Sequence, residues 1–89
     1  MSRTAPSAPI EHQEDQGRFR IVEDGKEAHL DYRLNAPDID FHETYVPFAW
    51  RGTGLGEKLV KHGLQWAQQR QLNITASCWY ADKIYRETP

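Results

Sequence analysis

The sequence predicts an α/β fold with a mixed, mainly antiparallel sheet. Three observations carry that expectation. Two alternating segments flank Asp24-Gly25, among the strongest short hairpin signals. A glycine-rich run, Arg51-Gly52-Thr53-Gly54-Leu55-Gly56, opens a segment with helical periodicity. A short β-rich stretch, 72–77, follows that helix. A strand before the loop and a strand after the helix form a crossover. Such a crossover is right-handed and makes its two strands parallel. The expected arrangement has three layers, with a long helix and a short terminal helix covering the sheet.

Taken in order, residues 1–16 read as a disordered tail. Ser, Ala and Pro dominate the start and polar, acidic residues the rest, with no apolar period to pack. His12 lies in this stretch and reads as solvated. The domain is expected over 17–89. Phe19 and Ile21 share one side of the first strand. Ala28, Leu30, Tyr32 and Leu34 alternate with Glu27, His29, Asp31 and Arg33, the pattern of a half-buried antiparallel strand. His29 falls on its polar side. Asn35-Ala36-Pro37-Asp38 turns the chain into a third strand, 39–46, and Pro47 ends it because it cannot donate to a ladder. Phe48, Ala49 and Trp50 make an apolar loop that either covers a cofactor or packs locally, with local packing preferred. In the helix, about 55–70, Leu55, Leu59, Val60, Gly63, Leu64, Trp66 and Ala67 occupy one half of the wheel. Glu57, Lys58, Lys61, His62 and Gln65 occupy the other. The last segment, Ser77-Cys78-Trp79-Tyr80, leads into a short helix to about Glu87, with Ser77 as the expected N-cap.

Composition excludes several classes. The 89 residues carry a net charge of −2, with no basic stripe for nucleic acid. No apolar run is long enough to span a membrane, and no signal-peptide pattern is present. One cysteine excludes an internal disulfide and a multi-cysteine zinc site. A reducing, cytoplasmic compartment is the expectation, and no metal site is predicted.

The glycine run is the candidate anion cradle. Glycine lets backbone approach a ligand without a Cβ in the way, and the first turn of a helix offers unpaired N–H groups and partial positive charge. A phosphate or pyrophosphate suits such a place, and Arg51 adds a charge-assisted contact. The P-loop pattern fails, because Glu57-Lys58-Leu59 stands where Gly-Lys-Ser/Thr is required. The dinucleotide pattern also fails, because its third glycine position holds Glu57 or Leu59. The residues fit Arg-x-x-Gly-x-Gly, with Thr44-x-Val46-Pro47 before it and Cys78-Trp79-Tyr80 after the helix.

These three blocks, spanning about 17–89, resemble the small single-domain group of the GCN5-related N-acetyltransferase superfamily. The resemblance implies a minimal acyl-CoA N-acyltransferase fold. It also implies acetyl-CoA as cofactor and an unknown amine as acceptor. Its pyrophosphate would lie on Arg51, Gly52, Thr53, Gly54, Leu55 and Gly56. The strand before the loop splays from its neighbour in this superfamily, so Tyr45 and Val46 would line the pantetheine slot through their main chain. Lys58 and Lys61 lie within reach of a 3′-phosphate or are simply solvated.

Two residues are candidates for the chemistry. By period 2, Glu43 shares a face with Ile39, Phe41 and Tyr45, where a desolvated carboxylate would serve as a general base. The alternative is a bulge that points Glu43 to water. The small relatives often carry His at this place, and here His42 comes one position earlier. Cys78, near a helix N-terminus, is either a nucleophile that takes the acetyl group or a buried small hydrophobe. A cysteine at this place recurs in the group. Tyr80 and Tyr85 are alternative acids for the leaving thiolate. A second class of function remains beside the enzyme, a non-catalytic CoA-binding module that acts with a protein partner or as a homo-oligomer.

Overall fold

A computed structural model describes residues 4–88. Five strands and two helices follow one another as β1 (Glu11–Gln13), β2 (Arg18–Glu23), β3 (Lys26–Asn35), β4 (Asp38–Tyr45), α1 (Leu55–Gln69), β5 (Asn73–Ala76) and α2 (Trp79–Glu87). Short 3-10 turns stand at Glu14–Gln16 and Phe48–Trp50. The sheet order is β1-β2-β3-β4-β5, antiparallel except for the β4–β5 pair, which is parallel. The crossover through α1 therefore joins neighbouring parallel strands, as the periodicity predicts. At the β2–β3 hairpin, Asp24 and Gly25 both take positive φ, 52° and 74°, the conformation that an Asp-Gly hairpin turn demands. No helix among the described residues is long and apolar enough to cross a membrane.

The arrangement has two layers, which corrects the three expected. Phe19, Ile21, Ala28, Leu30, Ile39 and Phe41 form the inner face of the sheet. Leu59, Val60 and Leu64 of α1 and Ala81 and Ile84 of α2 join them in a single buried cluster. Both helices thus lie on one face. The other face is too polar to bury. It carries Arg18 paired with Asp31 and Glu27, and Arg20 paired with Glu27 and Glu11. Gly63 brings α1 close to the sheet, since a Cβ there would stand 2.7 Å from Leu30 and 3.0 Å from Phe41.

The tail reading is corrected from residue 6 onward. Pro6 is buried, and Ala8 and Ile10 pack against the core. The Ser7 and Ala8 amides and the Ser7 hydroxyl donate to one Glu23 carboxylate oxygen at 3.0, 2.9 and 3.2 Å. His12 stacks on Phe19 with ring centres 3.9 Å apart, and its Nε2 lies 2.7 Å from the Tyr32 hydroxyl. Burial lowers the His12 pKa from 6.5, more than Glu14 nearby raises it, and His62 and Arg70 lower it further. A short segment of mixed polar residues thus joins the sheet through the ring contacts of His12 with Phe19, Tyr32 and Trp66 and through its backbone ladder. The expectation for residues 1–3 lies outside the described residues.

Candidate functional site

The site begins where β4 and β5 part. Their pairing runs from Asp38↔Asn73 to Phe41↔Ala76 and stops there. The Cys78 amide makes the last link, donating to the Phe41 carbonyl at 3.1 Å. Asp40 pins the parting point. Its carboxylate accepts from the Ser77 amide (2.8 Å), the Ser77 hydroxyl (2.7 Å) and the Thr75 hydroxyl (3.2 Å). Burial pushes the Asp40 pKa up, but these hydrogen bonds outweigh it and hold the carboxyl below 3.8. Ser77 therefore serves Asp40 and does not cap α2 as expected. Cys78 itself occupies the N-cap position, and its side chain makes no cap hydrogen bond.

A β-bulge decides which side chains meet the gap. Asp31 pairs with Glu43 and Tyr32 with Phe41, so His42 has no residue opposite. One extra residue reverses every side chain beyond it. Thr44 consequently faces inward, with its Oγ1 3.6 Å from Cys78 Sγ. Glu43 faces outward and is exposed. The desolvated general base expected at Glu43 is therefore corrected, because the bulge removes it from the apolar stripe. Tyr45 also turns outward, where its ring stacks on His29 with centres 5.5 Å apart.

Beyond the parting point lies a cleft of about 490 Å³, within the range of small-molecule sites. Thr44, Tyr45 and Val46 form one wall; Cys78, Trp79 and Tyr80 form the other; Arg51, Gly52, Gly54, Leu55 and Gly56 close its end. Thr53 is not among the lining residues. Its hydroxyl donates to the Trp50 carbonyl at 2.6 Å and shapes the loop instead. Gly52 and Gly54 take φ of 81° and 83°, the left-handed region that favours glycine. Nothing stands within 4 Å of where a Cβ would be at either position. Gly54 is the N-cap of α1, so the unpaired amides of the first turn open onto the cleft. Arg51 reaches back across the loop, its Nε donating to the Val46 carbonyl at 2.9 Å. Trp50 is buried in the core and also lines the cleft, while Phe48 is 68% exposed.

The two tyrosines separate. Tyr80 lines the cleft beside Gly56, and burial, with Glu57 nearby, raises its phenol above the ordinary 10. Tyr85 is half-buried against the core, away from the cleft lining. Lys58 and Lys61 sit on a separate, more open groove with Glu57, His62 and Ile10, and Lys61 pairs with Glu57 at 3.2 Å.

The sequence reading passed over two groups, the Asp40–Ser77 anchor and the outward network of His29, Asp31 and Glu43. The ligand atoms of that trio lie within 4.8 Å of one another. Arg18 forks onto Asp31 at 2.8 and 3.1 Å and occupies the carboxylate a metal would need. Alternation alone gives no signal for either group, since both depend on register across strands.

Residues 18–89 match the family model described as GCN5-related N-acetyl-transferase. Protein NATD1 of Homo sapiens is 26% identical over 103 residues, covering all of this chain and 91% of its own length. The Gallus gallus protein of the same name is 28% identical over 99 residues, covering 96% and 90%. Among solved structures, the NMR solution structure of a GCN5-like protein from Staphylococcus aureus superposes with a TM-score of 0.70. It is 28% identical and covers 89% of this chain and 78% of its own.

Proposed function

The chain belongs to the GCN5-related N-acetyltransferase family, and from that premise we propose that its cleft binds acetyl-CoA and presents the thioester to Cys78 for transfer to an amine. The observation that carries this reading is the meeting of three features in one cleft. They are a glycine cradle open to an anion, a gap between parallel strands, and a thiol beside that gap. The fit is physical. A Cβ at Gly52 or Gly54 would occupy the open space that backbone contact with a pyrophosphate requires. The parted β4 has no ladder on its β5 side beyond Phe41, so main chain at Tyr45 and Val46 borders the cleft where an extended amide-bearing arm would lie, with the Val46 carbonyl already accepting from Arg51.

In the covalent route, Cys78 Sγ would give its proton to solvent water and form a bond to the acetyl carbonyl carbon. The bond from that carbon to the CoA sulfur would break, with the leaving thiolate protonated by Tyr80, which would regain its proton from solvent. An incoming amine then attacks the acetyl-Cys78 carbonyl, displaces Sγ and loses a proton as the amide forms. Thr44 Oγ1 orients Sγ. The raised phenol of Tyr80 keeps its proton throughout the neutral range, as an acid must. A cytoplasmic location, where acetyl-CoA is at hand, accords with this reading.

The second reading, a CoA-holding module that works with a partner, draws on Trp79. This residue lines the cleft yet is 77% exposed, so the acceptor side has little wall of its own. Intact-mass spectrometry after incubation with acetyl-CoA separates the two. One added acetyl group on the wild type, absent in Cys78→Ala, supports the covalent route. Saturable CoA binding without an adduct favours direct transfer or the holding role. Failure to bind CoA in calorimetry sinks both.

A further inference from the structure

Only Ser77 and Cys78 separate the end of β5 from the start of α2. The thiol stands on this short turn, so whatever fixes the turn fixes the thiol. The main chain of the turn is tied to β4 at both residues. The Cys78 amide donates to the Phe41 carbonyl at 3.1 Å. The Ser77 amide and hydroxyl donate to the Asp40 carboxylate at 2.8 and 2.7 Å, one to each oxygen. The Thr75 hydroxyl reaches Oδ1 as well, at 3.2 Å, so β5 and the turn share one acceptor. Bonds to a charged acceptor are roughly twice as strong as neutral ones. On its far side the turn runs into α2, where the Asp82 amide donates to the Cys78 carbonyl at 2.9 Å. Sγ itself has a weak tie, the 3.6 Å approach to Thr44 Oγ1. The thiol therefore takes its place from the backbone beneath it. Asp40 is not among the residues that line the cleft, so any effect it has on a ligand there passes through the turn.

We propose that Asp40 is a positioning residue: acting through Ser77, it sets where Cys78 Sγ stands in the cleft, and so governs acetyl uptake and not CoA binding. This rests on the covalent reading above. Attack on a thioester needs the sulfur about 3–3.5 Å from the carbonyl carbon, and a misplacement of about 1 Å costs on the order of a hundredfold in rate. Asp40→Ala takes the acceptor from both Ser77 donors and leaves the Cys78 amide to hold the turn on β4. Asparagine is a partial substitute. Its carbonyl oxygen can accept from the Ser77 amide, but its NH2 group suits the Ser77 hydroxyl only if that hydroxyl turns round to accept.

Three measurements on the full chain test this. They are the rate of acetyl-Cys78 formation at saturating acetyl-CoA by intact-mass spectrometry, CoA affinity by calorimetry, and the rate of Cys78 alkylation by iodoacetamide. Alkylation needs an exposed thiol but no docked thioester. Asp40→Ala should slow acetyl uptake by about tenfold or more, with CoA affinity unchanged and alkylation undiminished. Asp40→Asn should slow it about threefold, and Ser77→Ala, which keeps the amide bond, by about as much. These two variants carry the test if Asp40→Ala does not fold. Ile21→Val, a core trim on β2, separates alignment from instability; it should lower Tm and leave the uptake rate at the wild-type value. The inference is overturned if the Asp40 and Ser77 variants take up acetyl at the wild-type rate. It is also overturned if alkylation falls in step with uptake, or if the loss lies in CoA affinity. A wild type that binds CoA but gains no acetyl group sinks the covalent reading and this inference with it. An acetylated wild type equalled by its Asp40 variants sinks this inference alone.

Discussion

Replacing Gly56 with alanine tests how α1, α2 and the cradle are fitted together. Gly56 lies in the first turn of α1, and an ideal Cβ there would stand 2.9 Å from the Tyr80 hydroxyl oxygen, 3.1 Å from Cε2 and 3.2 Å from Cζ. Two effects oppose each other. Alanine is better than glycine in a helix by about 0.8–1 kcal/mol. Forcing a methyl into a filled contact costs about 1–3 kcal/mol. The clash involves a ring face as well as a hydroxyl tip, so the tyrosine must move as a body. The net expectation is a loss of about 1 kcal/mol, which for a domain of this size lowers Tm by about 4–8 °C. Urea titration and a thermal scan read it directly. The displaced ring and the added methyl both intrude on the cleft, so CoA affinity should fall as well. Tyr80→Phe removes the nearest of the three contacts, so the double variant should recover part of the loss, a coupling of about 0.5–1 kcal/mol. A Gly56→Ala protein that is more stable than wild type and binds CoA equally well would refute this account of the α1–α2 contact.

Three further outcomes are expected. Gln71→Gly should stabilise the fold by about 1 kcal/mol in urea titration, because Gln71 holds a left-handed φ of 58° in the turn that closes α1; its amide bonds Gln68 and that of Leu72 bonds Ala67. His12 has a depressed folded pKa, so its contribution to stability is present above pH 6.5 and is lost as pH falls through that value and below. His12→Gln should flatten the acid side of a Tm–pH profile. Asp40→Asn should cost about 1 kcal/mol at neutral pH by weakening the bonds from Ser77 and Thr75. The Asp40 pKa is held below 3.8, so the difference from wild type should vanish as pH falls through that region, and a constant difference down to pH 2 would contradict it.

Much of this was legible in the sequence because it rests on local rules. Asp24-Gly25 dictated its own turn, and the 3.6-residue period of Leu55, Leu59, Val60, Leu64 and Ala67 dictated the buried stripe of α1. The glycines at 52, 54 and 56 announced a cradle, and all three reach the cleft. The failures were non-local. Strand β1 is three polar residues long, and what holds it, beside its ladder to β2, is the set of rings around His12 led by Phe19 on another strand. Nothing in 11–13 alone predicts that partner. Glu43 went astray because one unpaired residue, His42, inverts the alternation from that point on. Period 2 has no memory of a bulge. Ser77 was a sound N-cap by type, but a carboxylate from the neighbouring strand outbid the helix for its hydroxyl.

The bulge at His42 also divides β4 into two stretches under different constraints. Upstream, Ile39 and Phe41 are fixed by the core and answer to its volume. Downstream, residues 43–46 lie beside the gap and carry little of the packing. The strand can thus vary its chemistry at one end while its foundations are left alone at the other. A library randomised at 43–46 should return folded chains far more often than one randomised at 38–41, which is how a chain this short could change what it accepts without first learning to fold again.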